Sequence, residues 1–314
     1  MLQFIKKIDF RQNIVYVGVV VIFALFAIML GGKGFTSTVN ILNILRQSSI
    51  IVIMAMAMTF VIGSAEIDLS VGSIAGLASV STAMAIARFG LVPGILAGLA
   101  VGAICGIVNG ALVAFAKIPS FLVTLAMMGV TVGVAQWITD SSPQPILDKG
   151  YNFVFGGGQI GVFPIIIIWA MVFFAFGVTL LNRTRLGKYT LAVGANPVAA
   201  KYSGINVKRV RFGVMFGSAM CAAVAGMLYA GRLQSGRYQW GSGDEMNVIA
   251  AVILGGTALS GGRGSAVGAM AGAVLMAMIN NGLILAGLTS AQQQVVRGII
   301  IVLAVALAKR NNRS

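Results

Sequence analysis

The chain has 314 residues, 58% hydrophobic and only 9% charged, with 41 glycines and 6 prolines. Soluble domains carry about a quarter charged residues, so the composition excludes a surface held mainly in water and points to an all-α, polytopic membrane protein. The net charge of +15, from 22 Lys and Arg against 7 Asp and Glu, fits an excess of cations in cytoplasmic loops better than a nucleic-acid surface. Histidine is absent, and the two cysteines, Cys105 and Cys221, lie in apolar runs. Neither a metal centre nor a disulfide is expected.

A spanning helix needs about 20 mostly apolar residues, and ten stretches qualify as candidates. The first, 14–29, follows a basic N-terminus with no small-residue cleavage site, as a retained first helix would. The second is 48–62, with an amphipathic lead-in from Asn40; the third is 71–86, the fourth 92–115 and the fifth 121–138. The sixth is 162–181, the seventh 210–229, the eighth a short 247–259, the ninth 266–285 and the tenth 293–308. With both termini inside, fifteen Lys and Arg fall on cytoplasmic segments and seven on the opposite side, so an N-in/C-in orientation is expected. The whole chain, 1–314, then forms a single transmembrane domain with two long connections. One, 141–161, is polar and external; the other, 182–209, is basic and cytoplasmic. No gap has room for an ATPase or a soluble receptor.

Glycine recurs every fourth residue in the fourth span, at Gly94, Gly98, Gly102, Gly106 and Gly110, which places all five on one helix face for close packing. Gly264, Gly268 and Gly272 repeat the pattern more briefly. Each run ends near an Asn-Gly pair, at Asn109 and Asn281. Because the two copies would cross the membrane in opposite directions, they suggest an inverted repeat.

Three segments stand out chemically. Residues 66–73, EIDLSVGS, put two of the seven acids between apolar runs. An ionisable group at membrane depth costs several kcal/mol unless paired or hydrated. Asp68, Ser70 and Ser73 are therefore candidates for shaping a polar path, while Asp68 or Ser70 can equally serve as a helix cap. Residues 252–264 hold five glycines within ten residues, which implies an irregular or tightly packed backbone. They lack the Gly-Lys-Ser/Thr ending of a phosphate loop, so nucleotide binding is rejected. In the basic connection, Asn196 and Pro197 read as the cap and first position of a short helix over 198–202, stopped by Gly204. A short cytoplasmic helix between two spans suits a docking knob.

Taken together, EIDLSVGS at 66–73, KIPSFLVTLAMM at 117–128, TRLGKYTLAVGANPVAAKYSGINVKRV at 184–210, IAAVILGGTALSGGRGSAVG at 249–268 and NNGLILAG at 280–287 resemble the permease subunits of bacterial ABC importers for simple sugars, the ribose/xylose/autoinducer-2 type, with ribose permeases the nearest pattern. The resemblance covers nearly the whole chain, with the motifs in the same order. It implies a multi-pass protein of the bacterial inner or plasma membrane, and a translocation path between two permease copies, a homodimer being expected. It further implies a partner ABC ATPase that carries ATP and Mg, and an external sugar-binding protein. No cofactor would be bound by this chain, and no catalysis performed by it. On this resemblance Asn196, Ala199, Ala200, Ser203 and Gly204 form the coupling helix that seats in the ATPase. One departure is Glu66, where the pattern often has glycine; it leaves the sugar open. An ion-gradient-driven secondary transporter is the alternative reading. It would usually place acids or histidines within its spans, whereas here histidine is absent and the acids lie near helix ends.

Overall fold

The computed structural model describes residues 14–311. The basic residues Lys6, Lys7, Arg11 and Arg313 that entered the orientation argument lie outside that range. Among the described residues, eight helices are long and apolar enough to cross a membrane. They are α1 (Ile14–Leu30), α2 (Thr38–Gly63), α3 (Val71–Phe89), α4 (Leu91–Ala114), α5 (Ser120–Thr139), α6 (Ile165–Arg183), α9 (Val207–Leu233) and α11 (Ala266–Leu285). Between α6 and α9 lie two short helices, α7 (Arg185–Ala195) and α8 (Pro197–Tyr202). After α9 comes α10 (Asp244–Leu254), and α12 (Ser290–Asn311) ends the described chain. At 11 residues, α10 is only about 16 Å long at 1.5 Å per residue, half a span rather than the full crossing expected of the eighth segment.

The expected lead-in from Asn40 is continuous with the second span. Asn40 finds a partner across the bundle and Ser48 and Ser49 bond back along their own helix, so helix α2 runs unbroken. Asn40 and Asn281 exchange amide hydrogen bonds of 3.0 and 2.9 Å. Ser48 and Ser49 donate back to Leu45 O at 3.0 and 2.7 Å. At 26 residues, α2 is about 39 Å long, and it forms the centre of the bundle with α9.

The glycine face of α4 packs against α9. A Cβ at Gly102 would stand 2.7 Å from Ala223 Cβ, and one at Gly110 would stand 2.9 Å from the Phe212 ring. Both are closer than side chains pack, so the helices approach backbone to backbone. The second run works alike: Gly268 and Gly272 of α11 receive the backbones of Gly255 and Ala251. The long helix of each half thus leans on the last helix of the other, α9 on α4 and α2 on α11. Two interlocked copies of a helix, extended segment, helix, helix unit would make such a pattern.

Two connections re-enter the bundle. Residues 64–70 leave α2 and climb beside α5, where Ile67 N donates to Ser120 Oγ and Leu69 N to Thr124 Oγ1, both at 3.0 Å. Alternate amides of an extended chain stand about 6.6 Å apart and residues four apart on a helix about 6 Å, so the two hydroxyls match the strand's spacing. On the other side, residues 234–243 fold back along α3. Ser79 Oγ donates to Arg237 O at 3.0 Å, and Gly72 and Gly76 accept the backbones of Gly241 and Tyr238. Helix α10 therefore starts partway through the bundle.

The connection expected as a polar external loop at 141–161 is anchored. β1 (Gln144–Pro145) pairs antiparallel with β2 (Ser235–Gly236). Tyr151 is fully buried, donates its hydroxyl to Met227 O at 2.8 Å and stacks on Phe155 at 4.7 Å. Cys105 and Cys221 are free thiols.

Candidate functional site

Helix α8 forms as its sequence directs. Asn196 Oδ1 accepts Val198 N and Ala199 N, both at 3.0 Å, with Pro197 in the first turn. At the other end Gly204 N donates to Lys201 O and Ile205 N to Ala200 O, both at 3.0 Å, with Gly204 at φ +81°. This crossed pair is a Schellman stop, whose left-handed residue favours glycine. Ser203 Oγ donates to Ala199 O at 3.0 Å. Ala200 is buried, packed with Val193, Val210 and Ile205 of its own chain, so it seats the helix rather than facing outward. The outward face carries Val198 and Tyr202, 62% and 88% exposed. Four residues apart, they share a face. The sequence reading missed both, although two large apolar groups on a short exposed helix are the signal of a docking face.

Helix α7 ends in a three-way backbone junction. Gly262 N donates to Gly63 O at 3.0 Å, and a Cβ at Gly194 would overlap both groups. Gly261 and Gly262, both at φ +80°, lie against Ala65 and Ala195. The glycine-rich stretch before α11 thus serves close approach, as its composition suggested. It joins the end of α2 to the helix that leads into α8.

In the re-entrant segment 64–70 Asp68 and Ser70 are completely buried, and Ser73, in the first turn of α3, is buried as well. Asp68 Oδ1 accepts Ser70 N at 2.9 Å and Ser70 Oγ at 2.6 Å, and Asn109 Nδ2 donates to Ser70 Oγ at 3.0 Å. Ser70 is the N-cap residue of α3, but its side chain makes no capping bond; Asp68 holds both its hydroxyl and its backbone N–H. Ser73 Oγ turns back to Ser70 O at 2.9 Å. Asp68 Oδ2 and Asn109 Oδ1 have no hydrogen-bond partner. One level closer to α8, Glu66 Oε1 lies 2.8 Å from Arg211 Nε of α9. The Nε–H is not aligned on the carboxylate, so this contact is an ion pair without a directed hydrogen bond.

At the far end of the bundle a second polar cluster centres on Asp244. Tyr229 donates to Asp244 Oδ2 at 2.6 Å and Asn247 Nδ2 lies 3.4 Å from Asp244 Oδ1. Sequence reading passed over it. Its signal was present: Asp244 and Glu245, like Glu66 and Asp68, are two of seven acids and directly precede an apolar run. Among the described residues no group of His, Cys, Asp or Glu could hold a metal ion.

A bundle of apolar spans with re-entrant segments has the build of a membrane transport protein. Residues 40–305 match the family described as branched-chain amino acid transport system, permease component. Over 96% of its length the chain is 40% identical to a probable ABC transporter permease protein of Escherichia coli, covering 92% of that protein. It is 39% identical to the ribose import permease of Bacillus subtilis, over 88% of this chain and 87% of the relative. It is 31% identical to a xylose transport system permease of Haemophilus influenzae, over 98% and 99%. No solved structure matches significantly. The chain belongs to this permease family and is a multi-pass membrane protein.

Proposed function

We propose that the chain is the transmembrane subunit of an ATP-binding-cassette importer that carries a ribose-like monosaccharide, delivered by an external binding protein, into the cytoplasm. The observation that carries this reading is near-full-length similarity to import permeases for ribose and xylose. In this reading the end of the bundle bearing α7 and α8 faces the cytoplasm, in line with the positive-inside rule. The connection 182–209 holds the coupling helix, in which Asn196, Ala199, Ser203 and Gly204 shape α8 and Ala200 seats it. Val198 and Tyr202 enter a cleft of the ATPase. Two copies of the chain enclose the path, and hydrolysis takes place on the ATPase subunits.

Movement of α8 shifts the junction at Gly63, Gly194 and Gly262, and with it the segment carrying Glu66, Asp68 and Ser70. The loaded binding protein favours one of the two resulting arrangements, which is the only way its arrival can bias the cycle. The decisive experiment is uptake by proteoliposomes containing the chain, its ATPase and its binding protein. Uptake is expected to stop when ATP is withheld and to survive collapse of the ion gradients by ionophores. The opposite result would establish an ion-driven transporter.

Asp68→Asn tests the path assignment. It removes a buried carboxylate with an unpaired oxygen, so stability is expected to hold or rise, while the acceptor for Ser70 is retained. Uptake is expected to fall several-fold. Parental uptake at unchanged protein level would leave Asp68 a purely structural role.

A further inference from the structure

A cavity of about 100 Å³ lies among α2, α9, α10, α11 and α12, lined on its polar side by Gln47, Tyr229, Asp244, Asn247, Asn280 and Arg297. At about 30 Å³ per water in the liquid it has room for about three waters, which seats two or three hydroxyls of a small sugar rather than the whole of it. Asn247 and Asn280 are 4% and 9% exposed, yet the side-chain oxygen of each lacks a hydrogen-bond partner. A buried acceptor left unmade costs about 1–3 kcal/mol, so two on one cavity wall call for something in the cavity that supplies hydrogens.

The lining selects the kind of occupant. A metal cation wants acceptors alone and is opposed by Arg297. An anion is opposed by Asp244. An apolar molecule would strand every polar group. A neutral compound rich in hydroxyls suits all of them, because each hydroxyl both donates and accepts: its hydrogens can go to Asn247, Asn280 and Asp244, and its oxygens can accept from Gln47 and Arg297. Tyr229 is held by Asp244. The cavity sits at the end of the bundle opposite α8, and α12, which packs chiefly on α10, forms its outer wall.

Resting on the functional reading above, we propose that this cavity is a sugar-binding station within each protomer, the first to hold the monosaccharide after the binding protein releases it. The test uses the complete importer in proteoliposomes and radiolabelled D-ribose, D-xylose and D-galactose. Asn280→Leu and Asn247→Leu replace polar wall with apolar volume and are expected to lower uptake of the transported sugar at least ~10-fold. Gln47→Leu, at a half-buried position, is expected to lower uptake several-fold and carries the test if Asn280→Leu fails to assemble. Parental uptake in Asn247→Leu and Gln47→Leu would overturn the station alone. No ATP-dependent uptake of any of the three sugars by the parent would overturn the functional reading, and the station with it.

Discussion

Gly204→Ile is expected to abolish sugar uptake while leaving the chain inserted and at parental level in the membrane. Position 204 has φ +81°, a conformation that costs an ordinary L-residue about 1–2 kcal/mol and a β-branched one more. No atom lies within 4 Å of a Cβ built there, so the penalty is conformational and not a clash. The only local relief is to unwind the stop of α8, losing the bonds from Gly204 N to Lys201 O and from Ile205 N to Ala200 O. Ile205 would then leave the small apolar cluster of Ala200, Val193 and Val210, and Tyr202, at the end of a six-residue helix, would lose its fixed direction. A strain of about 1.4 kcal/mol already shifts an equilibrium tenfold, and docking has to compete with it in every cycle. Gly204→Asn is the control, because asparagine tolerates the left-handed region and should keep most of the uptake. Measuring uptake beside hydrolysis stimulated by the loaded binding protein separates lost coupling from lost assembly. Parental uptake in Gly204→Ile would remove α8 from the coupling role.

The legibility of α8 in the sequence is no accident of length. Cap, proline and glycine stop are local signals, each acting within four residues, and Asn196, Pro197 and Gly204 stand where the chain uses them. The apolar spans were equally readable because lipid asks only for a run of apolar residues. Glycine spacing foretold the close face of α4, since a period of four selects one helix face whatever the partner.

Other features depend on partners distant in sequence. The polar start of α2 looked like a separate lead-in because its partner, Asn281, stands 241 residues away. Tyr151 looked like part of an external loop because Met227 O, which buries its hydroxyl, belongs to another span. The pair Glu66 and Arg211 was invisible for the same reason: Glu66 was legible as a carboxylate in an apolar setting, but not the cation that neutralises it. Asp68 and Ser70 were read as either cap or path. In the structure Ser70 makes no capping bond of its own, while Asp68 Oδ1 holds both the N–H and the hydroxyl of Ser70 at the start of α3.

The charge pair supplies the second large expected effect. Glu66→Arg would set two guanidinium groups face to face between the re-entrant segment and α9. Arg211→Glu would do the same with two carboxylates, one of them almost buried. Removing one partner of a buried pair costs about 3–5 kcal/mol. Here the Arg211 side chain is 31% exposed and solvent screens part of that, so a loss of about 1–3 kcal/mol is the fair expectation. Val210, next to Arg211, packs on Ala200 of α8, so the pair tethers the α8 end of the bundle to the segment that carries Asp68. Each single reversal is therefore expected to cut uptake at least ~10-fold. The double variant E66R/R211E restores attraction with the charges exchanged, and is expected to recover protein level and uptake to within ~3-fold of the parent. Recovery of level without uptake would mean that a negative charge is needed at position 66 itself. Failure of both to recover would show that the 2.8 Å contact does not hold the two elements together.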